Sequence, residues 1–96
     1  MARTKLSDAE INAALAKVAG WKVQSGKLHR DFQFGDFSEA FAFMTRCAMF
    51  AEQMNHHPEW FNVWNKVTVD LQTHDAGGIT QRDFELAERM NQIAGK

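Results

Sequence analysis

DFSEAFAFMTRCAMFAEQMNHHPEWFNVWNKVTVDLQT, residues 36–73, changes its apolar period halfway along and so decides the fold. In its first half Phe37, Ala40, Phe41, Met44, Cys47, Ala48, Ala51 and Met54 recur every three or four residues, the spacing of one helix face, and Phe43 and Phe50 widen the stripe. Asp36 occupies the N-cap position, with Glu39 three residues on. The helix must close before His57, because the residue ahead of Pro58 is driven towards extended geometry. In the second half the period drops to two. Val67, Val69 and Leu71 share one face, and Thr68, Asp70, Gln72 and His74 the other. Trp60 to Asn65 and Lys66 to Thr73 are therefore two strands, joined by a tight reversal near Asn65-Lys66.

Upstream, Trp21 to Ser25 and Leu28 to Phe34 read as a hairpin around Gly26. Arg30 interrupts the apolar parity of Leu28, Phe32 and Phe34, which predicts an edge position for that strand. A first helix opens with a Ser7–Glu10 capping box and a Leu6–Ile11 staple, carries Ile11, Ala14, Leu15 and Val18 as its apolar stripe, and ends at Gly20. A last helix starts at Thr80 after Gly77-Gly78, with Asp83 at the box position and Leu86, Ala87, Met90, Ile93 and Ala94 inward. The order αββαββα implies an α+β fold: one four-stranded antiparallel sheet with three α-helices packed on one face, a single domain over residues 1–96. The second face of the sheet is left for solvent or a partner subunit.

A 96-residue chain buries a modest core, so an oligomer interface is an expected source of added stability. Eleven basic and twelve acidic residues nearly cancel, without the basic stripe of a nucleic-acid binder. No apolar run approaches the roughly 20 residues that span a bilayer. Met1 to Asp8 is polar and lacks a signal-peptide core, so the expected location is cytoplasmic. A single cysteine, Cys47, excludes an intramolecular disulfide and falls on the apolar stripe, where it packs as a small hydrophobe.

Three of the four histidines, His56, His57 and His74, lie between Glu52 and Asp83, near Trp60 and Trp64. Imidazole both donates and accepts protons near neutral pH. If the second hairpin folds back as read, His56-His57 and His74 reach the same rim of the sheet, where loops carry function. Such a cluster suits acid/base work on a flat, polar ring. Each histidine alone is better explained by a local capping role; it is the three together that shift the balance. The three tryptophans, Trp21 included, serve equally as stacking surfaces or as core. Adjacent His56 and His57 are badly placed to share one metal ion, and neither HExxH nor CxxC is present, so no metal site is expected. Glu52, one turn before His56, either tunes a histidine or is an exposed acid, and Asp83 first of all stabilises a helix start.

Glu52, His56-His57-Pro58, Trp64, His74 and Asp83 together resemble the signature of the pterin-4a-carbinolamine dehydratases. The runs FAFMTR (41–46) and NHHPEWFNVWNKV (55–67), and Gly20-Trp21, look like the same family. The resemblance covers nearly the whole chain. It implies a four-stranded antiparallel sheet with three helices on one side, in dimers or tetramers. It implies a hydro-lyase that removes water from 4a-hydroxytetrahydropterin to give quinonoid dihydropterin, recycling tetrahydrobiopterin after aromatic amino-acid hydroxylation, typically by phenylalanine hydroxylase, with no metal or organic cofactor. It places His56, His57 and His74 in the pterin pocket as catalytic residues. Glu52, Asn55, Gln72, Thr73, Asp75, Trp21 and Asp83 are the expected substrate-binding residues. Asn55 departs from the acidic residue that relatives often carry there, and Trp64 stands where some have tyrosine. The expected roles are His56 and His74 as an acid/base pair and His57 as the orienting group. The alternative is a non-catalytic dimerisation cofactor or assembly factor on the same fold, since relatives include partners of a homeodomain transcription factor and proteins resembling assembly factors for carboxylation enzymes.

Overall fold

The computed structural model describes residues 4–96; residues 1–3, which begin the polar N-terminus, lie outside the described residues. The elements follow the αββαββα order: α1 (Asp8–Leu15), β1 (Lys22–Gln24), β2 (Lys27–Gln33), α2 (Phe37–Met54), β3 (Glu59–Val63), β4 (Lys66–Leu71) and α3 (Gln81–Ala94), with a single 3₁₀ turn at His74–Ala76. All strand pairs are antiparallel, in the order β1-β2-β4-β3. The α+β fold with one four-stranded sheet is therefore the observed one.

Local chemistry accounts for most boundaries. Ser7 and Glu10 close the capping box of α1, and Asp36 accepts the Glu39 N–H at 2.8 Å to start α2. The β1–β2 turn is Ser25-Gly26 with both φ values positive, the geometry favoured by two-residue hairpins. The β3–β4 turn is Trp64-Asn65 rather than Asn65-Lys66, since Val63 pairs with Lys66. Its left-handed Trp64 (φ 51) is held by Asn62, whose amide donates to the Trp64 and Lys66 carbonyls.

Three further expectations are corrected. α1 stops at Leu15, with looser turns carrying the chain to Gly20. β2 is an interior strand, flanked by β1 and β4. Arg30 is tolerated on its helix-facing side because its guanidinium donates to the Ala19 and Lys96 carbonyls and to Asn91, and lies over the Phe32 ring. Polar satisfaction, not an edge position, accommodates the break in parity. Finally, α2 buries Ala40, Phe43, Cys47 and Ala51, while Phe37 and Phe41 are exposed, as is Met49. The apolar stripe was wider than the face the sheet can cover.

Leu28, Phe32, Val67, Val69 and Leu71 from the sheet meet these α2 residues and Phe84, Leu86, Ala87 and Met90 of α3 in one core. Burial pushes the Cys47 thiol up to about 12, so it packs as a neutral apolar group. On the opposite face His29 is buried and its Nδ1 lies 2.8 Å from Asp70 Oδ1.

Candidate active site

Pairing of β3 with β4 sets Glu59 opposite Asp70 and so brings two segments side by side. One is the exit from α2, residues 55–59; the other is the stretch that follows β4 into the 3₁₀ turn, residues 72–75. Between them lies a cleft of about 310 Å³, and His56, His57 and His74 all line it.

The direction of His56 follows from how α2 ends. Asn55 takes the left-handed conformation (φ 54), and its N–H reaches the Ala51 and Glu52 carbonyls. Asparagine tolerates this conformation better than most residues, which gives Asn55 a structural reason at this position. Arg82, in the first turn of α3, donates to the freed carbonyls of Met54 and Asn55. The reversal turns His56 inward, 7% exposed, with Nε2 2.5 Å from Asp83 Oδ1.

Asp83 is 0% exposed. Its Oδ2 accepts the Thr80 N–H and the Thr73 hydroxyl, each at 2.9 Å, and the two threonine hydroxyls lie 2.7 Å apart. The residue therefore holds two posts: it completes the capping box of α3 and anchors an imidazole. A carboxylate accepts only, so His56 Nε2 carries the hydrogen of that bond. In the neutral ring Nδ1 then keeps its lone pair and is the nitrogen free to take a proton.

The other two rings are solvent-facing. His57 has a 57% exposed side chain and pairs through Nε2 with Glu52 Oε1 at 2.9 Å. His74 is 76% exposed, with Nε2 3.4 Å from Glu59 Oε2. Glu59 in turn receives Lys27 Nζ on Oε1 at 2.6 Å and the Gln72 amide on Oε2 at 2.9 Å. These hydrogen bonds, first that of Lys27 and then that of Gln72, hold the Glu59 carboxyl below the usual glutamate range. The same bond holds the Lys27 ammonium above its ordinary value.

Asn55, Gln72, Thr73 and Asp75 line the cleft with the histidines. Glu52 flanks it through His57, and Asp83 lies behind His56. Trp21 is elsewhere: its indole is in the core, edge-on to Phe32, and its Nε1–H donates to Asn91 at 2.8 Å. Trp60 packs against the core and Trp64 is exposed on the hairpin turn, so neither lines the cleft. Glu59 does line it but was not singled out from sequence; its position between Pro58 and Trp60, on the parity that faces away from the helices, was the available signal.

Against known proteins, the family model for pterin 4 alpha carbinolamine dehydratase matches residues 4–93. A Solibacter usitatus protein provisionally named a pterin-4-alpha-carbinolamine dehydratase is 58% identical over 91 residues, covering 95% of this chain and 96% of that protein. A Brucella ovis protein of the same provisional name is 47% identical, covering 99% of this chain and 100% of its own. Among solved structures, a transcriptional coactivator/pterin dehydratase from Brucella melitensis superposes with a TM-score of 0.93 at 46% identity, covering 96% of this chain and 100% of that one. A pterin dehydratase-like protein identified as a RuBisCO assembly factor in the alpha-carboxysome shares the fold, with a TM-score of 0.65 at 22% identity over 79% of this chain and 88% of that one.

Proposed function

Because this chain belongs to the pterin 4 alpha carbinolamine dehydratase family, we propose that it dehydrates 4a-hydroxytetrahydropterin to quinonoid dihydropterin by histidine acid/base catalysis in the cleft between residues 55–59 and 72–75. The observation that carries the reading is the convergence of three imidazoles on one cleft. The reaction breaks the C4a–O bond and forms a C4a=N5 double bond. One group must protonate the departing hydroxyl so that it leaves as water. A second must take the proton from N5. Two imidazoles accomplish both without net proton uptake, each contributing about 10²–10⁴-fold. His56 and His74 are the acid/base pair: His56 is fixed by Asp83 with Nδ1 uncommitted, and His74 stands on the other wall. His57, paired with Glu52, binds and orients the ring. Asn55, Gln72 and Asp75 supply polar groups for the pterin edge, while Thr73 braces the wall through its bond to Asp83.

The working context that fits is cytoplasmic recycling of a reduced pterin after aromatic amino-acid hydroxylation, with phenylalanine hydroxylase as the functional link. Exposed Phe37, Phe41 and Met49 on α2, and Phe61 and Val63 on the edge strand β3, support a homodimer or homotetramer. The same exposed α2 residues favour a second reading, a protein-partner role, which is compatible with catalysis. The test is a stopped assay of 4a-carbinolamine dehydration with wild type, His56→Ala, His74→Ala and the double variant. A loss of roughly 10²-fold or more in each single variant is expected. A double variant as active as wild type would refute the acid/base assignment.

A further inference from the structure

We propose that Glu59 is a positioning residue for His74, itself locked by Lys27 and Gln72, so that Nε2 of His74 faces the carboxylate and Nδ1 faces the substrate. This deepens, and rests on, the dehydratase reading. His74 opens the 3₁₀ turn and is 76% exposed, so core packing does not fix its ring. What the ring meets is Glu59 Oε2 at 3.4 Å. That carboxylate is not free to swing away. Its Oε1 is held by Lys27 Nζ from β2 at 2.6 Å and its Oε2 by the Gln72 amide at 2.9 Å. One side chain from β2 and one from the residue that follows β4 therefore set the plane of the carboxylate before the imidazole arrives.

An ionised carboxylate only accepts hydrogen bonds, so the nitrogen that faces it carries the hydrogen. At 3.4 Å this is an ion-pair approach, longer than the 2.5 Å His56–Asp83 bond; drawn in to hydrogen-bond length, it would select the Nε2–H tautomer of the neutral His74 ring, with the lone pair on Nδ1. His56 is fixed in the same tautomer by Asp83. Both walls of the cleft thus present the same ring nitrogen, each backed by a carboxylate. That symmetry is what a site needs if one imidazole acts as acid while the other acts as base. The hydrogen bond from Lys27 holds the Glu59 carboxyl below the usual glutamate range, which favours the acceptor-only carboxylate.

The test pairs a tautomer measurement with kinetics. The ring-nitrogen chemical shifts of His74 are recorded in uniformly ¹⁵N-labelled wild type, Glu59→Ala and Glu59→Gln, and kcat and KM are measured on the 4a-carbinolamine. Wild type is expected to show the Nε2–H tautomer. Glu59→Ala should give a mixture of tautomers with kcat down on the order of tenfold and KM little changed. Glu59→Gln retains an oxygen acceptor and should restore part of both. Identical His74 nitrogen shifts in wild type and Glu59→Ala would overturn the proposal. So would a Glu59→Ala variant whose shifts move while kcat stays at the wild-type value. If wild type does not turn over the carbinolamine at all, yet the tautomer changes on Glu59→Ala, the dehydratase reading fails and the Glu59–His74 positioning stands. Glu59 is surface-accessible, and a melting curve for each variant confirms that the fold is intact.

Discussion

Asp83→Asn changes one atom and should uncouple shape from proton placement. The native carboxylate is completely buried and accepts three bonds, from His56 Nε2, the Thr73 hydroxyl and the Thr80 N–H. An asparagine has one oxygen and one NH₂ group. Two of the three donors converge on Oδ2, so the amide oxygen will settle there and turn its NH₂ towards His56. Nε2 must then become the acceptor, and the ring hydrogen moves to Nδ1. The cap of α3 survives, but the nitrogen available for chemistry no longer has a lone pair. Losing a charge-assisted hydrogen bond costs about 1.5–3 kcal/mol of stability. Each kcal/mol lowers the melting temperature of a domain of this size by about 4–8 °C. Asp83→Ala is harsher, since it strips all three donors and the cap at once, and each buried group left unpaired costs about 1–3 kcal/mol. For Asp83→Asn, kcat should fall by about 10²–10⁴-fold, the range of a lost acid or base. The assays are thermal unfolding, initial-rate kinetics and the ¹⁵N shifts of His56. An Asp83→Asn enzyme with native His56 shifts and kcat within twofold of wild type would refute this account of the network.

Three further outcomes are expected. Glu59 has a carboxyl held below its usual range, so its pairing with Lys27 contributes stability that is complete above the unfolded glutamate value of about 4.3 and is lost as pH falls through the lower folded value. The melting temperature of Glu59→Gln should accordingly fall less steeply on acidification than that of wild type. Trp21→Phe removes the indole bond to Asn91, costing about 1 kcal/mol, and should leave KM for the pterin unchanged because Trp21 is in the core; a raised KM with unaltered stability would contradict that placement. At Asn55, alanine in the left-handed conformation should cost about 1–2 kcal/mol whereas glycine should be nearly neutral, a ranking that urea melts would check.

What the sequence made legible was local. The caps at Ser7, Asp36 and Thr80 involve residues three apart, and the period change between α2 and β4 is carried by the chain itself. The chain therefore announced its element order. Strand order did not follow in the same way, because β2 lies inside the sheet only through its partners, and Arg30 is at home there only through Ala19, Asn91 and Lys96. The stripe on α2 tells which residues are apolar but not how wide a face the sheet covers, and Phe37 and Phe41, which share its spacing, are exposed. In the cleft, histidine spacing and family resemblance together picked out residues that do come together, but the carboxylate behind each ring was less visible. Asp83 reads as a helix-start residue from sequence, and its second task appears only once His56 arrives from 27 residues away. Glu59 is hard to pick out because its partners come from β2, from Gln72 just past β4 and from the turn beyond.

Lys27 and Glu59 belong to strands that do not touch, yet their side chains meet across β4 on the side turned away from the helices. The underside of the sheet and the mouth of the cleft are thus linked like two ends of a lever with β4 as its fulcrum. On the proposed positioning role of Glu59, a ligand that settled on that underside and drew Lys27 away would act on the His74 ring without touching it. Under that proposal the face of the sheet turned from the helices would be a handle on the chemistry at a distance.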